Sequence, residues 1–476
     1  MTNPELRITA QAAGFVDSLC YENIPAEALR IGRRCLLDGL GVIVAGTEED
    51  TVKVLVEEAL AVGGRKDALL LGSGKARVPM PIAARVLGVA GHAHDWDDTQ
   101  VSRDPRHQYG LLTHPTIPPL AAALVVSQYR KDVTGKAFMT AFEAGFEVEC
   151  KLSEWSLPNL YKRSFHSSGV VGIFGATGTA AKLLGVTGDK LRMAFGIAVS
   201  MAAGNRVNFG TMSKPLQVGR AVENGVTAAM LAARGFTADL NAFDGPWGFC
   251  QVYADGVFEE KVAQRFGTTN WSIVEPGVSI KPYPSGILTH QSMDAMLDLV
   301  SRYDIKPDDI EKIDFYAGSN VIHPIRYAVA QTHLEAKFSM AALLAMIIVN
   351  RQAGRREFTN QFIRSKETQD VQRRIACHLD PEIEALGTEI IRTRIEVQLR
   401  NGRKLMRWAP EAYRGGPDDP LSDAELEKKF AACTEGLLTE ERKAAVISKV
   451  KRIAALKDAS VLAKAIQFTS PKGERA

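Results

Sequence analysis

The segment Gly91-His92-Ala93-His94-Asp95-Trp96-Asp97-Asp98-Thr99 places two imidazoles and three carboxylates within nine residues. Folding alone does not call for that density of proton-holding groups in so short a stretch. It follows an apolar helical run, Ile82 to Val89, so a packed core reaches its edge and a site beside that core is expected. Two chemistries suit the side chains. His92, His94, Asp95, Asp97 and Asp98 offer the donor types that hold a divalent cation. The same groups can move protons on a small acid. An Asp-Asp pair in a helical chain suits diphosphate-bound magnesium, as in isoprenoid synthases, but no second acidic motif occurs on a later helix. A His-x-His pair suits metal hydrolases, which set it at the end of a barrel strand, whereas here it ends a helix-like run. Asp97 or Asp98 singly reads as an N-cap for the next element. That reading does not cover all five residues.

Three further segments put a cationic side chain just before a helix start: His114-Pro-Thr-Ile-Pro, His166-Ser-Ser-Gly and Lys214-Pro-Leu-Gln. A helix N-terminus carries unpaired N–H groups and partial positive charge, so a carboxylate is favoured there. Each segment alone reads as an ordinary boundary, since Pro and Ser are routine start signals. Their recurrence predicts a cleft for a substrate bearing two or three carboxylates. Lys281-Pro-Tyr-Pro-Ser285-Gly-Ile-Leu-Thr-His290 stands where the sequence texture changes, and clefts between domains commonly bind ligands. It reads equally as a proline-stiffened linker with a solvated lysine. His107 lies in a polar loop, Gln100 to Gly110, while His323, His333 and His378 lack a supporting constellation and read as surface or core filler.

The elements that must position these groups are mostly helices. From Pro4 to about Arg265 apolar faces recur at helical spacing, giving candidates at Ala26 to Val44, Val52 to Val62, Pro118 to Tyr129, Ala137 to Leu152, Val170 to Leu184, Lys190 to Ala203 and Gln217 to Arg234. The small residues of Gly172-Ile-Phe-Gly-Ala-Thr-Gly predict close approach of helix axes, at about 1 kcal/mol per interior glycine. After Asn270 strand-like alternation appears at Asp309 to Ala317 and across Thr393 to Arg407, where Asn401-Gly402 suits a type I′ hairpin turn. Helical runs at Thr289 to Arg302 and Lys337 to Asn350 lie between, so this part reads as α+β. Tyr413 to Pro420 is an exposed linker, and Ser422-Asp-Ala-Glu425 is a capping box that opens further amphipathic helix. The expected architecture is mainly α: a large all-helical domain from 1–268, an α+β lid from 269–410, and C-terminal helices from 411–476 that rejoin the helical domain.

Composition narrows the function class. The 476 residues are 46% hydrophobic and 24% charged, enough for a large core, and 58 basic against 55 acidic residues leave a net charge of only +3. Without a dense Lys/Arg block, nucleic acid and anionic membranes are not the expected partners. The six cysteines are scattered with no Cys-x-x-Cys pair, which predicts reduced thiols and no clustered metal or iron–sulfur motif. No apolar leader opens the sequence and the longest apolar run, Phe338 to Val349, falls short of the roughly 20 residues of a span, so a soluble cytoplasmic protein is expected.

Taken in order, Gly91 to Thr99, His114-Pro-Thr-Ile-Pro-Pro-Leu, Phe165-His-Ser-Ser-Gly, Lys214-Pro-Leu-Gln-Val-Gly219 and Lys281-Pro-Tyr-Pro-Ser resemble the 2-methylcitrate dehydratase (MmgE/PrpD) superfamily over most of the chain. That superfamily includes methylcitrate dehydratases, cis-aconitate decarboxylases and iminodisuccinate epimerases. The resemblance implies a homodimer with its site between the helical domain and the lid, needing no cofactor, neither metal nor iron–sulfur cluster. It implies catalytic roles for Asp95, His166, His114 and Lys214 and substrate contacts from Thr99, Lys281 and Ser285. His166 and Asp95 are the expected proton-transfer pair, a buried Asp being one whose pKa can rise toward neutrality. The implied reaction is dehydration of a small di- or tricarboxylate of the citrate type, with epimerisation or decarboxylation as alternatives and metal-dependent chemistry at the Asp-rich segment as a further one. The chain departs from the family at Gly286, where members often have Cys or His, and at Gln217, where His is frequent.

Overall fold

A computed structural model of the chain describes residues 7–101, 111–156, 159–257, 265–267, 270–387 and 390–469. The expectation for His107 lies outside the described residues. The elements that build and support the site are α1 (Ala26–Gly46), α2 (Met80–Ala93), the strands β1 (Gln100–Val101) and β2 (Leu111–Thr113), α3 (Ile117–Arg130), α4 (Gly135–Ser156), α5 (Ser167–Leu184), α6 (Ser213–Ala233), α7 (His290–Arg302), β3 (Ile310–Ala317), α8 (Met340–Asn350), β4 (Ile375–Leu379), β5 (Thr393–Leu399), β6 (Lys404–Trp408) and α9 (Asp423–Cys433). The fold is mainly α. Among the described residues no helix is long and apolar enough to cross a membrane.

Most helices expected from periodicity form near the expected bounds; the one expected over Lys190 to Ala203 runs Gly188–Val199. The core of the helical part extends from Ile8 to Ile280 and takes in Leu421 to Phe468. α4 lies at its centre, buried along almost its entire length. Gly145 on α4 faces Gly175 on α5 so closely that a Cβ there would run into the Gly175 carbonyl, which is the packing the small-residue run predicts. α9, opened by the capping box of Ser422 and Glu425, packs on α1.

A second core spans Tyr283 to Ala409. Its sheet has the order β4-β3-β5-β6, with β3 parallel to β4 and antiparallel to β5. β5 alternates buried and half-buried residues, the period-2 pattern of a strand covered on one face. The β5–β6 hairpin differs from the expected type I′ turn. Leu399 N donates to Arg403 O, closing a three-residue loop in which only Gly402 has positive φ (85°). A single left-handed residue suits a type I turn followed by a bulge, whereas type I′ needs two.

Candidate active site

Asp95 owes its orientation to the way α2 stops. His94 is the helix C-cap, and Asp95 follows in the left-handed region at φ 53°, where glycine is the usual residue. The turn aims its carboxylate at two lysines from distant segments. Lys214 Nζ, in the first turn of α6, lies 2.8 Å from one oxygen, and Lys281 Nζ donates to the other at 2.7 Å and to the Asp95 carbonyl at 3.0 Å. All three residues are buried. Burial by itself would raise the Asp95 pKa, but the two ammonium groups hold it well below the usual carboxylate range. Asp95 is therefore a fixed anion, contrary to the expectation that burial brings it toward neutrality. So stabilised a carboxylate is a poor base and carries no proton to give. Burial also lowers the Lys214 pKa, with Asp95 opposing the shift, so Lys214 is a stronger acid than an exposed lysine.

The histidines are set up differently. His166 is the N-cap of α5, and its Nδ1 lies 2.8 Å from Gln217 Oε1. Gln217 cannot present its nitrogen instead: its Oε1 accepts from Asn205 N at 3.1 Å and its Nε2 donates to Asn205 O at 2.9 Å. The network thus assigns the proton to His166 Nδ1 and leaves a lone pair on Nε2. That Nε2 is buried with no partner among the described residues. Burial, then neighbouring His92 and Lys214, keep His166 neutral well below the ordinary histidine range. His114 follows the same logic: its Nδ1 donates to the Asp98 carbonyl at 2.7 Å. His92 Nδ1 meets Asp97 at 2.8 Å, and its ring packs 4.8 Å from that of His114 and 5.4 Å from that of His166.

The rest of the Asp-rich segment is framework. Asp98 caps α3, accepting from Thr116 N and Oγ1; burial lifts its pKa to about 7. Asp98 thus holds the residue that opens α3, while Ser167 and Lys214, in the first turns of α5 and α6, line the site. His94 Nε2 donates to Ala45 O, and its Nδ1 lies 3.3 Å from Glu49. Thr99 pairs through its backbone with Ser279 and donates its hydroxyl to Thr113 O. His92, Asp95, Asp97 and His114 bring potential metal ligands within 4.8 Å of one another. A divalent cation there would need Asp95 to release two ammonium groups and Asp97 to release His92.

Asp95, Thr99, His114, His166, Lys214 and Lys281 line one cavity of about 50 Å³. Six of the seven residues singled out from sequence therefore converge. Ser285 does not: its hydroxyl is buried against Thr289 Oγ1 at 3.0 Å and Met293 Sδ at 3.7 Å, behind a wall formed by its neighbours Gly286 to Thr289. Sequence reasoning missed Lys337, whose Nζ donates to Ala93 O at 2.8 Å, and the Phe209 and Phe338 rings, tilted against each other with centroids 5.5 Å apart beside Lys214. Lys337 opens a helical run and carries no other signal. His333 is no mere filler: its Nε2 lies 3.0 Å from Glu49, across the junction of the two cores.

Residues 10–261 match the MmgE/PrpD N-terminal domain and residues 283–453 the MmgE/PrpD C-terminal domain. The chain belongs to the MmgE/PrpD family. Among its relatives, human cis-aconitate decarboxylase is 27% identical over 472 residues, covering 98% of this chain and 95% of that protein. The mouse protein of the same name is 25% identical over 479 residues, with 98% and 95% coverage. The Aspergillus terreus cis-aconitate decarboxylase is 22% identical over 466 residues, with 93% and 92% coverage. Gln217 orients His166, and Gly286 leaves an opening, since a Cβ there would meet nothing nearer than Leu288 at 4.0 Å.

Proposed function

We propose that this MmgE/PrpD family member is a cofactor-independent lyase that dehydrates a small polycarboxylate. The observation that carries the reading is the His166 tautomer, with its Nε2 lone pair buried beside Lys214 and held by Gln217. A neutral imidazole in that state accepts a proton and has none to give at Nε2. His166 Nε2 removes the proton next to a substrate carboxylate, and the C–H electron pair enters the new alkene. The hydroxyl departs as water with a proton from Lys214, whose ammonium is acidified by burial. Lys281, fixed by Asp95, stabilises the enolate-like charge that develops. Solvent returns the proton from His166 to Lys214 between turnovers. Asp95 positions the two lysines and His114 and Thr99 orient the acid.

Decarboxylation is the second reading, favoured by the names of the relatives. There the C–CO2 bond supplies the electron pair and the carbanion must receive a proton, which requires His166 in its charged form or Lys214 as donor. Incubation with citrate, 2-methylcitrate and cis-aconitate in D2O, followed by NMR and ultraviolet absorbance, separates the two. Dehydration gives an alkene without CO2 and His166-dependent exchange of the substrate proton. CO2 release from cis-aconitate with no action on the hydroxy acids would sink the dehydratase reading.

A further inference from the structure

We infer that Glu49 is a positioning residue for the proposed active site. Through a doubly protonated His333 it fixes the part of the cavity wall formed by Lys337 and Phe338 against the end of α2. The inference rests on the reading of the cavity as that site. Glu49 precedes the helix Asp50–Val62 as its N-cap, yet its buried carboxylate makes no cap bond to that helix. One of its oxygens instead meets two cations of the second core: His333 Nε2 lies 3.0 Å away and Lys337 Nζ 3.8 Å away. These two residues stand four apart around the short helix His333–Ala336, so a single oxygen fixes how that turn is rotated. Lys337 also donates to the carbonyl of Ala93, the last residue of α2, and Phe338 follows it into the cavity wall. Lys214 and Lys281 share Asp95, which leaves Glu49 as the counter-ion of Lys337 among the described residues.

The charge of His333 follows from its two neighbours. Asn360 Oδ1 accepts from the His333 main-chain N–H at 2.9 Å, which fixes that atom as oxygen, and His333 Nδ1 lies 2.9 Å from it. Nδ1 therefore carries a proton. Nε2 faces the Glu49 carboxylate and carries one as well, so the ring is a cation bonded at both ends. Burial opposes that charge, but the bond to Glu49 outweighs it, and the pKa stands above the ordinary histidine value. Glu49 stays anionic despite its burial because Lys337, His94 and His333 surround it. As pH rises through the raised His333 value, the ring keeps one proton for two acceptors and the joint loosens. His94 Nδ1, 3.3 Å from the other Glu49 oxygen, takes no part in this titration, since burial lowers its pKa to about 4. The other charged groups around the joint are engaged: Arg355 with Glu48, Arg356 with Glu435 and Asp50 with Lys53. Glu335, on the turn itself, accepts from the Gln331 and Thr332 N–H groups.

The test compares His333→Gln and Glu49→Gln with the wild-type full chain. By NMR of the histidine rings, His333 should titrate above about 6.5 in the wild type and at or below that value in Glu49→Gln. A wild-type ring that titrates at or below it overturns the inference. At about pH 6, exchange of the Ala336, Phe338 and Ser339 amides, which bond within or beside this turn, should quicken about tenfold in His333→Gln, with the helical core unchanged. Unchanged exchange there, or a uniform rise throughout the chain, overturns it. With an acid that the enzyme converts, His333→Gln should raise KM about fivefold and Glu49→Gln about tenfold, with kcat within about twofold, because Lys337 and Phe338 bear on binding and not on the proposed proton transfers. The KM gap between wild type and His333→Gln should close as pH rises through the measured His333 value; the depressed Lys214 pKa acts on both alike. A kcat loss without a KM change, or a gap that persists, overturns the inference. His333 is partly exposed, so its variant decides should Glu49→Gln fail to fold. Absent turnover on every acid defeats the proposed reaction, and the ring titration and amide exchange then decide this inference by themselves.

Discussion

Two groups of buried carboxylates lie close together in this molecule and behave in opposite ways. Asp95 sits between two ammonium groups and is held anionic. On α4, Glu149 has Thr113 Oγ1 at 2.5 Å from one oxygen and no partner for the other among the described residues, and Glu143 has none for either. For both glutamates burial raises the pKa well above the ordinary range, with Asp98 adding to Glu149 and Glu147 to Glu143. Both groups are equally out of water, so burial does not decide the charge state. For Asp95 the two lysines at bonding distance do. The first group is electrostatic machinery, and the second is neutral packing that tolerates being buried because it holds its protons.

The largest expected effect tests the proton acceptor beside the anionic group. His166→Ala should lower kcat/KM by roughly a thousandfold and abolish substrate proton exchange with D2O. Retained exchange would move the base elsewhere. Asp95→Asn leaves two lysines facing each other without their anion, and should cost about 3–5 kcal/mol of stability at pH 7. Glu149→Gln replaces a group that is already neutral and should cost about 1 kcal/mol or less. Denaturant midpoints compare the two; equal losses would erase the distinction between anionic and neutral groups.

The pH dependence sharpens it further. His166 must be neutral to act, and its pKa is depressed, so the acid limb of kcat/KM should fall below the ordinary histidine value of about 6.5. For stability the sign is the same: the unfolded chain binds the proton first, so stability is full above the unfolded value and declines as pH falls below it. Because the Lys214 pKa is also lowered, the basic limb should begin below the ordinary lysine range. Gln217→Glu supplies a charged acceptor to His166 Nδ1 and should move the acid limb upward; an unmoved limb would remove Gln217 from the mechanism. The smallest effect is that of a chelator: with Asp95 and Asp97 engaged by lysine and histidine donors, activity should change by less than about twofold in its presence.

Much of the fold is legible in the sequence. Helical periodicity, the Ser422 capping box, the β3 strand and the run of small residues each reflect local chemistry that acts over a few residues. The candidate residues are legible too, because His, Lys and Asp crowd into short segments beside helix starts. The hairpin loop is not, because Asn-Gly serves two turn types, and pairing at Leu399 and Arg403 decides between them. Nor is the place of Ser285, because a serine beside Lys281 faces the cavity or turns behind it according to the course of a single turn.

Asp95 draws that line most clearly. By itself the sequence determined that an aspartate would follow α2 next to two histidines, within a chain able to bury it. Only the tertiary structure decided its charge, since Lys214 and Lys281 reach it from 119 and 186 residues away. The Coulomb energy that sets a buried pKa depends on distances of a few ångströms, which residue order along the chain does not encode. For the same reason the role of Gln217 was not legible even though the residue stood out by its type: the tautomer it imposes on His166 depends on Asn205 holding its amide in one orientation.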